Sequence, residues 1–455
     1  MARLLSISPY QAYRKARRTG QLQASPPTIL AGGFVLLILL GTLLLSLPIS
    51  QKEPFGLFAA FFSATSSVTV TGLTIIDPGR DLTSFGQFVM LSLVQIGGLG
   101  FVTFAVITAL TLGKKLSLRY QALTLEAINQ TSVSRIRHTA FTVFKFTLAI
   151  ELAAILILTL WWWRYESFPH ALYMAVFHAI SAFNNAGISL FDGSMAGFIG
   201  DPVTIFVITT SVILGGLGFS VLADIYQKQS WGTFSLYTRL VLLGTLGLNL
   251  TGFVLFWLIE SHNPNTLGAL PLPDQGLAAW LQIISARTAG FTGVDPSQLH
   301  DGSILLLIVL MFIGGGSLST ASGIKIGTFL VLLAVVRSYI LQNKEVVLMH
   351  RAVGAETIQK AVALVMVAGT LICFATFLIC LLEQQPFLFV LLEVIAAFTT
   401  TGMSAGLTAT LSTPSQVLLI ILMFIGRLGP LTLVYSLGTQ RHSRVRHPEI
   451  QLQIG

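Results

Sequence analysis

Long and short apolar runs alternate along this chain, and the two lengths predict different elements. The long runs fall at 28–48, 84–110, 141–162, 201–225, 239–259, 302–340, 361–382 and 415–437. Each is long enough for a helix across about 30 Å of hydrocarbon, at about 1.5 Å per residue. The runs are continuous, as in ILAGGFVLLILLGTLLLSL (29–47), whereas β-barrel strands alternate in segments of about 10 residues. The short runs FGLFAAFFSAT, ALYMAVFHAI, LAAWLQII and FLFVLLEVI cannot span. They read as half-helices that enter the membrane and stop.

Glycines used as anchors reveal an internal repeat. After each half-helix comes a short related segment: SSVTVTGLTIID around Gly72, SAFNNAGISLFD around Gly187, SARTAGFTGVD around Gly290 and AAFTTTGMSAGL around Gly402. A second glycine motif follows 24 to 28 residues later: IGGLG with Gly97, LGGLG with Gly215, IGGGS with Gly314 and IGRLG with Gly426. The expected architecture is an all-α polytopic membrane protein. It has four tandem units of transmembrane helix, pore half-helix, loop and transmembrane helix around a central pore, with eight spanning segments. Each unit holds two full spans, so all four enter the membrane in one orientation and an axis along the membrane normal relates them. The expected boundaries are a basic tail at 1–27, units at 28–112, 141–226, 239–340 and 361–437, linkers at 113–140, 227–238 and 341–360, and a tail at 438–455.

Composition agrees: 54% of the 455 residues are hydrophobic and only 10% are charged, far from the roughly 25% charged of soluble domains. The net charge of +8 suggests nucleic acid until its distribution is read, for 20 of the 26 Lys and Arg residues fall before residue 28, in 113–145, 226–239 and 337–360, and after 438, all on one side. The other side carries Lys52, Arg80 and Arg164, while Arg287, Lys325 and Arg427 lie at membrane depth. By the positive-inside rule both termini are cytoplasmic, in a plasma (inner) membrane, and no nucleic-acid partner is implied. The polar stretch before residue 28 and the length of the first run argue against a cleaved signal. Cys373 and Cys380 share one apolar run, the eight histidines are scattered, and GLGFVT at 98–103 lacks the third glycine of a dinucleotide fingerprint. Neither a resident cofactor or metal nor enzyme chemistry is expected.

A loop without regular hydrogen bonds survives in a bilayer only if protein buries it or it lines a wet cavity. A ring of such loops offers carbonyl oxygens in place of a cation's hydration shell, and glycine allows the close approach. The run 302–340 would extend roughly 58 Å as one helix, so it must break or protrude. FIGGGSLSTASGIK (312–325), with four glycines and four hydroxyls, is where it breaks. Arg427 stands where the other units have Gly98, Gly216 and Gly315. It either pairs with loop carbonyls or forms a positive barrier to cations. Lys325 closes the loop and either joins it or reaches the interface. Asp77, Asp192 and Asp295 each follow a glycine anchor by five residues, with Leu407 in the fourth place, and are candidates for an outer vestibule. Asp295 or Glu393 is a candidate partner for Arg287. Glu151 and His178 read as structural hydrogen-bonding groups.

TVTGL (69–73), FNNAG (183–187), RTAGF (287–291), TTTGM (399–403), GGGSLSTASGIK (314–325) and MFIGRLGP (423–430) together resemble the KtrB-type potassium-translocating subunits of the Trk/Ktr/HKT superfamily, over essentially the whole chain. The resemblance implies a selectivity filter made of Thr69, Val70, Thr71 and Gly72; Asn184, Asn185, Ala186 and Gly187; Arg287, Thr288, Ala289 and Gly290; and Thr399, Thr400, Thr401 and Gly402. Some sodium-preferring relatives carry serine at the first filter glycine, so Gly72 favours K⁺. The implied gate comprises Gly314, Gly315, Gly316, Ser317, Ser319, Thr320, Ser322, Gly323 and Lys325, with Arg427 beside it.

The resemblance further implies K⁺ as the transported ion, Na⁺ as a candidate activator, a homodimer with one pore per subunit, and a KtrA-type cytoplasmic ring that carries the nucleotide. The basic segments 113–139 and 337–360 and the C-terminal tail are candidate docking surfaces. The expected function is potential-driven K⁺ uptake through a gated filter. The alternative is a secondary symporter coupling K⁺ to Na⁺ or H⁺.

Overall fold

The computed structural model describes residues 26–112 and 133–429. The tail at 1–25, most of the first linker, the end of the last apolar run and the C-terminal tail lie outside the described residues, as do two of the candidate docking surfaces for the most part.

Fourteen α-helices make up the described chain: α1 Pro26–Leu45, α2 Leu57–Thr69, α3 Ser84–Leu112, α4 Val133–Trp162, α5 Phe168–Phe183, α6 Pro202–Leu217, α7 Phe219–Lys228, α8 Leu236–Glu260, α9 Leu272–Ala286, α10 Asp301–Phe312, α11 Ile326–Ile340, α12 Ala355–Leu382, α13 Phe387–Phe398 and α14 Thr413–Leu428. Helices satisfy their own backbone, which is what an apolar solvent demands. Local signals set their starts. Asp201 caps α6 by accepting from Val203 N at 3.1 Å, ahead of Pro202 in the first turn, and Ser235 caps α8 through Thr238 N at 3.2 Å. Among the described residues three helices are long and apolar enough to cross a membrane alone, namely Phe141–Trp162 of α4, α8 and α12.

Two predicted spans are interrupted. The sequence predicts one span over 201–225, but α6 stops at Leu217 and α7 leaves at 96°. The turn is made at Gly218, whose φ of 99° suits glycine, and a Cβ there would meet the Ser317 carbonyl oxygen at 2.5 Å. The run 302–340 is broken as expected, between α10 and α11, and residues 313–325 form an irregular loop. A short hairpin, β1 Val347–Leu348 with β2 Arg351–Ala352, occupies the linker where no strand is predicted.

The short helices α2, α5, α9 and α13 form the centre. In α2 every residue from Phe62 to Thr69 is buried, and in α13 every residue from Leu392 to Phe398. The outer helices are reversed, with Leu36, Leu39 and Leu43 of α1, Leu152 and Leu156 of α4, Leu246 and Leu250 of α8, and Phe374 and Phe377 of α12 exposed. At about 25 cal/mol per Å² such a surface would be costly in water; it fits lipid, and the chain is a membrane protein.

Packing follows a cycle. Each central helix packs against the long helix before it and the helix after it. Beyond these neighbours, α3 packs on α5, α6 on α9, α10 on α13 and α14 on α2, returning to the start.

Candidate functional site

The four central helices all end at a glycine anchor, and the chain leaves them in the same way. The residue two before each glycine takes a left-handed conformation, with φ of 57° at Val70, 60° at Asn185, 72° at Thr288 and 50° at Thr400. The glycines follow at φ 89° for Gly72, 64° for Gly187, 82° for Gly290 and 77° for Gly402. Non-glycine residues at positive φ are uncommon, so four in register mark one backbone shape used four times.

These loops close a ring. A Cβ on Gly72 would lie closer than 3.0 Å to the carbonyl oxygen of Ala186, on Gly187 to that of Ala289, on Gly290 to that of Thr401, and on Gly402 to that of Thr71. Each glycine therefore abuts the residue preceding the next glycine, in chain order and back to the first. The carboxyl ends of four helices converge there, and their partial negative charge favours a cation.

Side chains secure the ring from behind. Thr69 Oγ1 donates to Thr65 O at 2.7 Å and lies 2.7 Å from Thr71 Oγ1, and the fourth loop repeats this with Thr399, Ile395 and Thr401. Gly72 N donates to Ser66 Oγ at 3.0 Å. Asn184 donates through Nδ2 to Ile180 O at 2.9 Å and to Gln95 Oε1 at 2.6 Å, with Glu151 Oε1 at 3.3 Å. Gln95 Nε2 in turn donates to Glu151 Oε2 at 3.2 Å. Glu151 thus accepts from both amides, and His178 donates through Nδ1 to Met174 O at 2.8 Å and accepts Leu190 N–H at Nε2.

Arg287 pairs with neither carboxylate considered for it. It donates through Nη1 to Asn249 Oδ1 at 3.2 Å and through Nη2 to Gly314 O at 2.8 Å. Glu393 is occupied by the hydroxyls of Ser404 and Thr408, and Asp295 caps Ser297 N at 2.9 Å. Asn249 lies 38 residues from Arg287 on another helix; a lone polar residue inside an apolar run is the only sequence signal for it, and the same holds for Gln95.

The 313–325 loop is held on every side. Within it, Ser319 Oγ donates to Gly316 O at 2.7 Å, Lys325 Nζ turns back to Ala321 O at 2.6 Å, Gly323 has φ 66°, and Ile326 N donates to Gly315 O at 3.0 Å. Toward the ring, Thr320 Oγ1 lies 3.1 Å from Phe183 O and 3.0 Å from Asn185 Oδ1. Across the molecule, Arg427 donates through Nη1 to Thr320 O at 2.6 Å and Ser322 Oγ at 3.3 Å, and through Nη2 to Gly97 O at 2.9 Å and Gly98 O at 3.2 Å. Of the two roles considered for Arg427, pairing with loop carbonyls is the one its contacts display.

The second glycine motif packs against the central helices. A Cβ on Gly97, Gly215 or Gly426 would overlap the carbonyl oxygen of Val68, Phe183 or Phe398, whereas at Gly314 the overlap is with Ser322 of its own loop. Gly314 thus faces the loop where the other three face a central helix. The three aspartates, Asp77, Asp192 and Asp295, are exposed. Asp77 is also engaged locally, accepting from Gly79 N at 2.8 Å and Arg80 N at 3.1 Å.

Comparison with known proteins fits this arrangement. Residues 6–438 match the TrkH family, described as cation transport protein. The chain is 42% identical to Ktr system potassium uptake protein B of Bacillus subtilis (strain 168) over 95% of this chain and 97% of that protein. It is 40% identical to Ktr system potassium uptake protein B of Vibrio alginolyticus over 93% of each. The crystal structure of the potassium transporter TrkH from Vibrio parahaemolyticus superposes with a TM-score of 0.69 at 20% identity, covering 89% of this chain and 84% of that one, and shares the fold. The chain belongs to the TrkH family of cation transport proteins.

Proposed function

We propose that this chain is the ion-translocating subunit of a potassium uptake system, built as four repeats around one pore with eight spanning segments. The observation that carries the reading is the closed ring of four glycine loops at the carboxyl ends of four buried helices. An ion entering such a ring exchanges water for backbone carbonyls, and the helix termini offset part of its dehydration cost. The side chains of Thr69, Asn184, Arg287 and Thr399 are committed to the scaffold, so these positions act on the ion through their backbone. K⁺ is the ion named for both relatives above 40% and at 40% identity. Flux runs inward with the membrane potential and needs no covalent chemistry.

The 313–325 loop serves as the gate. It rests on hydrogen bonds from its own hydroxyls and from Arg427, so it has alternatives to exchange, which an apolar loop would lack. Asp77, Asp192 and Asp295 are exposed after their loops and raise cation concentration at the outer mouth, modestly at physiological ionic strength. Both termini face the cytoplasm, the subunit works as a homodimer, and a KtrA-type nucleotide-binding ring regulates it.

The test is K⁺ and Na⁺ uptake in cells lacking their own K⁺ uptake systems, for the unaltered chain, Gly290→Ser and a deletion of 315–322, each with and without the partner ring. Lost K⁺ preference in the first variant and raised flux in the second are expected. Unchanged selectivity together with abolished transport, at normal membrane levels, would overturn the pore in favour of symport, for which the buried Glu151 is the candidate coupling carboxylate.

A further inference from the structure

The 313–325 loop has a second set of anchors, all from the end of α6, the start of α7 and the start of α8. Gly316 N donates to Gly216 O at 2.8 Å, Thr320 N to Gly215 O at 3.2 Å, and Phe219 N to Leu318 O at 2.9 Å. Ser317 N donates to Tyr237 Oη at 2.7 Å. The two backbones touch where glycines leave room: a Cβ on Gly315 would overlap Gly216 O, one on Gly316 would overlap Leu217 O, and one on Gly218 would overlap Ser317 O. Leu318, at the tip, is held at φ 55°.

Phe219 and Tyr237 are arms of one body. Asp224 on α7 accepts from Ser235 N at 2.8 Å and Thr238 Oγ1 at 2.7 Å and pairs with Lys228 at 2.7 Å, while Arg239 donates to Gly232 O. These contacts lock α7 to the first turn of α8. The pivot is fixed at one end, since Gly215 is pressed against Phe183 O behind the ring. The other end, Tyr226 to Thr233, is exposed.

We infer that the 219–239 hairpin is a clamp on the gating loop, with Tyr237 and Asp224 as its positioning residues. Rotation of α7 about Gly218 withdraws Phe219 and Tyr237 together from Ser317 and Leu318 and frees the loop tip. A 96° bend inside an apolar run, at a glycine facing that tip, is the hinge such a clamp needs. The clamp rests on the gate assigned to 313–325 under the proposed function.

Full-length chain without the partner ring is assayed for K⁺ uptake in cells lacking other uptake systems, comparing Tyr237→Phe, Asp224→Asn and the 315–322 deletion. Tyr237→Phe strands the Ser317 N–H and raises maximal uptake about tenfold, with unchanged KM and unchanged preference for K⁺ over Na⁺. Asp224→Asn touches neither ring nor loop and raises uptake about threefold. A Ser319→Cys reporter, with Cys373 and Cys380 changed to serine, is labelled faster by a soluble thiol reagent when either substitution is present. A purely structural role would lower protein level and leave the labelling rate of folded protein unchanged. Parent rates of uptake and labelling in both variants, alongside raised uptake in the deletion, overturn the clamp and leave the gate standing. A deletion without effect overturns the gate and the clamp together. Should Tyr237→Phe not reach the membrane, Asp224→Asn and its labelling rate decide alone.

Discussion

Arg427 on α14 and Thr320 in the 313–325 loop lie 107 residues apart along the chain, and Nη1 of the arginine donates to the carbonyl oxygen of the threonine at 2.6 Å. The opposite edge of the guanidinium takes Gly97 O at 2.9 Å, so one planar fork ties the loop to α3. An ammonium group is a point donor and does not reach two sides in this way. Arg427→Gln removes a charged donor from the loop, worth about 1.5–3 kcal/mol, and should raise K⁺ uptake without the partner ring about ten- to hundredfold. Arg427→Lys keeps the charge and loses the fork. It should leave the loop almost as free, whereas a simple electrostatic barrier would survive this change; uptake rates of the two variants separate these cases.

The ring glycines differ in kind from other glycines of the chain. A side chain at Gly290 meets the Thr401 carbonyl and sits at φ 82°, while a Cβ at Gly56 has nothing within 4 Å and φ there is −65°. Gly290→Ser should therefore cost about 1–3 kcal/mol locally and erode the preference for K⁺ over Na⁺. Gly56→Ala should leave uptake and selectivity at parent values. Paired K⁺ and Na⁺ uptake assays read both.

Glu151 anchors the second loop through Asn184 and Gln95. Glu151→Ala takes the acceptor from Gln95 Nε2 in a buried setting, while Asn184 keeps Ile180 O and Gln95 Oε1, and should destabilise the protein by about 2 kcal/mol. Glu151→Gln keeps an acceptor and should cost less than about 1 kcal/mol. Thermal unfolding of purified protein in detergent should show a drop of several degrees for the first variant and a smaller one for the second.

Outside the membrane, Glu383 ties the end of α12 to the start of α14. Its Oε1 accepts Ser412 Oγ at 2.5 Å, Ser415 Oγ at 2.7 Å and Ser412 N at 2.8 Å. The Ser412 and Ser415 hydroxyls hold the carboxyl below its ordinary range, against a smaller opposing effect of burial. A depressed folded value means that the contribution is complete above the unfolded pKa near 4.3 and is lost as pH falls through the folded value. Hydrogen exchange at the Ser412 amide should therefore show constant protection from pH 5 to 8 after correction for intrinsic rates. Glu383→Gln should reduce that protection across the same range.

Backbone demands left a readable trace, and side-chain partnerships did not. Gly72, Gly187, Gly290 and Gly402 stand out because few other residues accept their φ values, so their spacing alone locates the ring. The break in 302–340 is legible from length, since no straight helix of that size fits. The turn at Gly218 is hidden, because Phe219, Val221 and Leu222 continue the apolar run and are buried against protein rather than lipid. Arg287 is hard to read for a related reason: a buried cation suggests a carboxylate, yet its two Nη groups go to a neutral amide and a carbonyl, and Nε has no hydrogen-bond partner among the described residues. Tyr237 carries no signal at all, being one tyrosine near the start of one helix.

Four unlike loops from one polypeptide make the ring asymmetric in its chemistry while its backbone repeats. In an assembly of identical subunits, one altered codon strikes every quarter of such a ring at once. Here it strikes one quarter, so the ring can be altered in single steps, and its tolerance can be charted one quadrant at a time.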